Sequence, residues 1–148
     1  MQTRPIQHSI DDLLPKAKAY LAARDDIAFA YLFGSRAAGK ANRLSDIDIA
    51  VYLASALGPS GHLKLLGDLI DIFHTDEIDL VVLNSAPIGL KMRVLKQRRL
   101  LADNQPYVRH RFESLTMRSY FDFAKFESRI LEERFYRGRS NPGTAQDS

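Results

Sequence analysis

Apolar positions along the chain change rhythm several times, and each rhythm predicts an element. Leu13, Leu14, Ala17, Tyr20 and Leu21 recur at helical spacing behind Ser9 and Asp12, which resemble a capping box. Pro15 interrupts this pattern, so the regular helix is expected to begin near Leu14 and to close at Asp25-Asp26. The unbroken apolar run Ile27 to Phe33, ended by Gly34, is too short for a helix and reads as a buried strand. Arg36 to Leu44 is turn-rich, with Gly39 and Asn42. Asp46 to Leu53 alternates at first and then becomes continuously apolar, as a central strand does.

After a loop at Gly58-Pro59-Ser60-Gly61, Leu63, Leu66, Leu69, Ile70 and Phe73 form a helical stripe, and Ile78 to Leu83 is a third strand. Ser85 is positioned to cap a helix with Pro87 in its first turn and Leu90, Val94 and Leu95 buried. Leu100-Leu101 reads as a short edge strand and Asp103-Asn104 as a turn. One long helix is expected over about 106–137, stopped by Gly138, with a disordered polar tail over 139–148. No repeat or linker divides the chain, so residues 1–138 form one α/β domain. In the long helix Phe112, Leu115, Phe123, Phe126 and Ile130 make one apolar stripe, and Met117, Phe121, Ala124, Leu131 and Phe135 a second. Together they cover more arc than a surface helix buries, which leaves one face for another protein and for homo- or hetero-oligomers.

Composition narrows the picture. At 148 residues, 45% hydrophobic and 26% charged, the chain is neither a disordered tail nor a membrane protein. The N-terminus lacks a signal-peptide layout, so a cytoplasmic location is expected. The absence of cysteine excludes disulfides, thiolate metal sites and cysteine nucleophiles. Residues 1–90 hold 8 Lys+Arg against 11 Asp+Glu, a balance of −3, whereas residues 91–148 hold 13 against 7, a balance of +6. The basic residues are Arg-rich and interleaved with Glu along a helix, so a solvated face is expected rather than direct nucleic-acid binding. His8, His62, His74 and His110 share no metal-ligand spacing.

The chemistry lies between the first two strands. Gly34-Ser35 follows strand one directly, and ten residues later comes Ser45-Asp46-Ile47-Asp48. Period-two alternation sends Asp46 and Asp48 to one side of their strand, where two carboxylates repel unless a cation or donors lie between them. Oxygen-only ligation of this kind suits Mg²⁺, which keeps waters and takes further ligands from substrate phosphates. Asp79 completes a three-carboxylate set if strands two and three are neighbours. Gly34 lets the backbone approach a phosphate, and Ser35 adds N–H and hydroxyl donors. Arg36 and Arg43 flank the intervening loop and match phosphate geometry, Arg36 being the stronger candidate. Ser45 is expected to support the aspartates.

Gly34-Ser35 and Asp46-Ile47-Asp48, within the fuller text Leu32 to Gly39 and Ser45 to Val51, resemble the signature of DNA polymerase β-like nucleotidyltransferases, and in particular the minimal nucleotidyltransferase (MNT) branch. The resemblance implies a nucleotidyltransferase fold of the α/β (α+β) class: a small mixed sheet flanked by helices, with a long C-terminal helix. It implies Asp46, Asp48 and Asp79 as catalytic and metal-binding residues, two Mg²⁺ ions, and ATP held at Gly34, Ser35 and Arg36. Adenylyl transfer to a hydroxyl, with loss of pyrophosphate, is the implied reaction.

Many small MNT proteins are antitoxins paired with HEPN-domain ribonuclease toxins, which they AMPylate on tyrosine. The toxin's R-x(4–6)-H spacing is missing, since Arg4 to His8 is too short and Arg99 to His110 too long. The chain therefore resembles the antitoxin, with the cognate HEPN toxin as partner. Two alternatives are a small-molecule nucleotidyltransferase of the aminoglycoside-modifying kind and a non-catalytic antitoxin acting by occlusion. The first needs an acceptor pocket for which the chain has little spare length. The second leaves three mutually repelling acids without a purpose.

Overall fold

The computed structural model describes residues 10–34 and 46–147, with side chains described as far as residue 134. Helix α1 (Ile10–Ala22) leads to strand β1 (Ile27–Phe33), then β2 (Ile47–Leu53), α2 (Gly58–Phe73), β3 (Ile78–Val82), a 3-10 turn (Leu83–Ser85), α3 (Ile88–Lys96), β4 (Arg99–Asp103) and α4 (Pro106–Asp147). The strands form one mixed sheet in the order β3-β2-β1-β4. β1 runs antiparallel to both β2 and β4, while β2 and β3, joined by the α2 crossover, are parallel.

Side-chain alternation sorts the core into two layers. Leu14, Ala17 and Leu21 of α1 and Leu65, Leu69, Ile72 and Phe73 of α2 pack on one sheet face, against Ile47, Ile49 and Val51. Met92, Val94 and Leu95 of α3 and Phe112 of α4 cover the other, against Phe29, Tyr31, Phe33 and Ala50. All seven residues of β1 are buried, so the unbroken apolar run is the centre of the sheet. A bulge between Ile27 and Phe29 sets Ala28 and Phe29 on the same face, which lets the Phe29 ring stack on Tyr52 and tilt against Phe112.

Several expectations shift. α1 is already helical at Ile10 and passes through Pro15, whose missing N–H leaves the Asp11 carbonyl without its usual donor. The Gly58–Gly61 segment is not a loop but the first turn of α2, with Pro59 at its start, and Leu63 is 67% exposed while Leu65 takes its place inside. Ser85 closes the 3-10 turn, and Pro87, not Ser85, occupies the cap position of α3. α4 runs to Asp147, past Gly138 where a stop was expected. A helical glycine costs only ~1 kcal/mol relative to alanine, which a long helix absorbs. The packed side of α4 follows neither stripe as drawn: Val108, Phe112, Met117 and Tyr120 meet the core, and Glu113 and Thr116 are buried with them. Ser9 lies outside the described residues. Among the described residues no helix is long and apolar enough to cross a membrane.

Candidate active site

Three strand ends meet at one corner of the sheet. Phe33, the last residue of β1, pairs with Asp48 near the start of β2, and Asp48 pairs in parallel register with Asp79 near the start of β3. The register is fixed where the strands begin, because the Ile47 amide donates to the Glu77 carbonyl at 3.0 Å. Ile47, Ile49 and Val51 point into the α1/α2 core and Ile78 and Leu80 pack against it. Alternation then sends Asp48 and Asp79 to the α3/α4 face, ahead of Ala50 and Val81, which pack there. Strands two and three are neighbours, as the three-acid set required.

Gly34 completes the corner. Its φ of +79° is left-handed, and a Cβ there would lie 2.3 Å from Oδ2 of Asp48. Only glycine fits so close to that carboxylate. The Asp48 carboxyl is half-buried, and its pKa is raised, first by that burial and then by the negative charges of Asp79 and Asp46, with Arg93 acting in the opposite direction. Asp46 is exposed just ahead of β2, and Asp79 is exposed. Ser35, Arg36, Arg43 and Ser45 lie outside the described residues.

The donor set is oxygen-only and suits a hard divalent cation. Among the described residues, however, no three acidic or histidine side chains are gathered as a ready cage. Asp48 and Asp79, side by side on one face with Asp46 acting on the same carboxyl, fit such an ion in chemistry and placement. A cavity of about 220 Å³, lined by Tyr52, Lys91, Arg111, Phe112 and Thr116 among others, opens elsewhere. It lies toward the opposite end of β2, roughly 13 Å along the strand from Asp48, and is not part of the acid corner.

Arg93 is the site residue that sequence reasoning missed. It is an exposed position of α3 between buried Met92 and Val94, with its guanidinium carbon 5.9 Å from the centre of the Phe33 ring. Nothing in its local sequence marks it. Its place beside Asp48 follows from how α3 packs across the end of β1.

Comparison with known proteins fits this geometry. The profile of the family described as "Polymerase beta, Nucleotidyltransferase" matches residues 15–107. Among curated proteins none matches. A chain in the crystal structure of a toxin–antitoxin pair with AMP-PNP is 27% identical, with a TM-score of 0.65 over 84% of this chain and 98% of that one. A chain in the complex of tri-AMPylated Shewanella oneidensis HEPN toxin with MNT antitoxin is 26% identical, with a TM-score of 0.57 over 85% and 92%. A chain in the crystal structure of the toxin–antitoxin pair MntA-HepT is 27% identical, with a TM-score of 0.56 over 85% and 93%.

Proposed function

The chain belongs to the polymerase-beta type of nucleotidyltransferase, and from that premise we propose that it is an Mg²⁺-dependent adenylyltransferase acting as the antitoxin of a HEPN-type ribonuclease toxin. It transfers AMP from ATP to a tyrosine hydroxyl of that toxin and so neutralises it. The observation that carries this reading is the parallel pairing of Asp48 with Asp79 beside Gly34. Support comes from the similar chains found with AMP-PNP and with an AMPylated HEPN toxin.

Asp46, Asp48 and Asp79 are the residues that would hold Mg²⁺. The bound ions supply charge neutralisation at the attacking and leaving oxygens of an in-line displacement. The chain's own groups do the rest. Gly34 keeps side-chain bulk out of the space next to Asp48, so a phosphate can approach the backbone there. Asp79, which is exposed, is assigned to accept the proton of the attacking tyrosine. The tyrosine oxygen bonds to the α-phosphorus, the bond from that phosphorus to the bridging oxygen breaks, and pyrophosphate leaves with its electron pair. Ser35 and Arg36 are assigned to the triphosphate.

The test is incubation of the purified chain with ATP, Mg²⁺ and the product of the neighbouring toxin gene, followed by intact-mass measurement and peptide mapping. One or more AMP additions on a toxin tyrosine are expected, and none in the presence of chelator. If no AMP appears while Asp46→Asn protein still neutralises the toxin as well as wild type, neutralisation is by occlusion and the enzymatic reading fails.

A further inference from the structure

The acid corner collects negative charge, and a nucleoside triphosphate would add more. Arg93 brings positive charge to this corner: its guanidinium carbon lies 5.9 Å from the centre of the Phe33 ring, and Phe33 is paired with Asp48. Arg93 is not consumed by the acids. Arg24, Arg98, Arg99 and Arg109 each hold a carboxylate within salt-bridge reach, whereas among the described residues Arg93 has no carboxylate within 4.0 Å and no hydrogen bond. Among the described residues its contact is with the Phe33 ring, and stacking on a ring face leaves the N–H donors on the edge of the guanidinium open to an anion. Its backbone is fixed, since Met92 is nearly and Val94 and Leu95 are fully or almost fully buried on the inner side of α3. Its partner ring, Phe33, is the residue immediately before Gly34 and the register partner of Asp48.

From this juxtaposition we propose that Arg93 is a substrate-binding residue, whose guanidinium takes the β- and γ-phosphates of the nucleotide and holds the departing pyrophosphate. The assignment rests on the nucleotidyltransferase reading above. An exposed but anchored guanidinium suits this role because its planar fork matches two phosphate oxygens at once, which a lysine cannot reproduce. Charge gives the direction: the acids would take the metal, and the guanidinium over Phe33, one residue before Gly34, would take the outer phosphates.

Calorimetric titration of the full chain with Mg²⁺-ATP and, separately, with AMP tests the assignment, using wild type, Arg93→Ala, Arg93→Gln and Arg93→Lys. Loss of the contact is expected to weaken Mg²⁺-ATP by about 10- to 100-fold, the worth of a charge-assisted hydrogen bond, with AMP affinity unchanged because AMP lacks the phosphates concerned. Arg93→Lys is expected to recover part of the loss, and KM for ATP is expected to rise more than kcat falls. Equal effects on ATP and AMP, or no effect on either, would overturn the assignment while leaving the nucleotidyltransferase reading intact. If the wild-type chain itself takes up no Mg²⁺-ATP, both fall together. Circular dichroism on each variant identifies folded protein, and the Gln and Lys variants give the same reading should the Ala variant fail to fold.

Discussion

Asp48 works against the fold that carries it. Its carboxyl is half-buried beside two like charges, so the folded chain is strained by the same arrangement that would bind a cation. Asp48→Asn is therefore expected to lower AMP transfer by about 10³-fold, the several kcal/mol that a metal-held charge contributes, and to raise the thermal midpoint. Each ~1 kcal/mol of relieved repulsion shifts that midpoint by roughly 2–4 °C in a domain of this size, measured in chelator so that no bound cation offsets it. A midpoint lower than wild type would contradict the repulsion. Gly34→Ala should do the opposite to stability, because its Cβ meets the Asp48 carboxylate at 2.3 Å and φ is +79°. A loss of about 1–3 kcal/mol in urea unfolding, with transfer impaired, is the expected result. These acids and this glycine could be read from the sequence because strand alternation and a short motif fix their neighbours. Arg93 could not, since its nearness to Asp48 depends on a helix packed over a strand sixty residues earlier in the chain.

Elements were readable where a single periodicity decided them and misread where a local signal competed with tertiary packing. The run Ile27–Phe33 is a strand at its expected bounds because no helix of seven apolar residues could bury all its faces. Gly58-Pro59 was a weaker sign, since the same residues serve a loop or a helix start, and the burial of Leu65 and Leu69 decided for the helix. The turn after β4 shows how far an isolated polar residue can reach. The Asn104 amide nitrogen lies 2.9–3.1 Å from the carbonyls of Leu21, Arg24 and Ile27, tying the end of α1 to β1. Asn104→Ala is expected to cost about 1–3 kcal/mol in urea unfolding at unchanged m, because it strands carbonyls near the core. The same corner carries a pH signature. Arg24 holds Asp26 in a paired hydrogen bond at 2.9 and 2.7 Å, and this holds the Asp26 carboxyl below its ordinary value. A lowered folded pKa means the stabilisation is present above the ordinary carboxylate range and is lost as pH falls through the folded value. Acid titration of the unfolding midpoint should therefore show a shallower fall in Asp26→Asn than in wild type.

At the scale of the molecule, α4 joins two different environments. Through Tyr120 it lies against the sheet, where Glu113 accepts from the Tyr31 hydroxyl and pairs with Arg98 and Arg109 at 3.4 and 3.3 Å. Burial and the hydrogen bond to Glu113 together push the Tyr31 hydroxyl well above its ordinary pKa, so it stays a donor throughout the physiological range. Beyond Tyr120 the core is left behind, yet the sequence stays apolar: Phe121, Phe123, Phe126 and Leu131 are 63%, 44%, 57% and 62% exposed. The exposed apolar positions thus differ from the packed ones along the helix rather than around it. These side chains add nothing to the chain's own core, and such an exposed apolar surface suits the toxin partner proposed above. Phe123 and Phe126, three residues apart, lie on one side of the helix, and exposed aromatics are the residues that binding hot spots favour. Phe123→Ser with Phe126→Ser is therefore expected to leave the unfolding free energy within ~1 kcal/mol of wild type, as exposed substitutions do. The same variant should bind the proposed toxin partner with an affinity lower by about 2 kcal/mol or more, some thirtyfold, in a titration that follows complex formation directly. Unchanged affinity would place the partner elsewhere on the molecule. A matching loss of stability would mean instead that these rings belong to the fold.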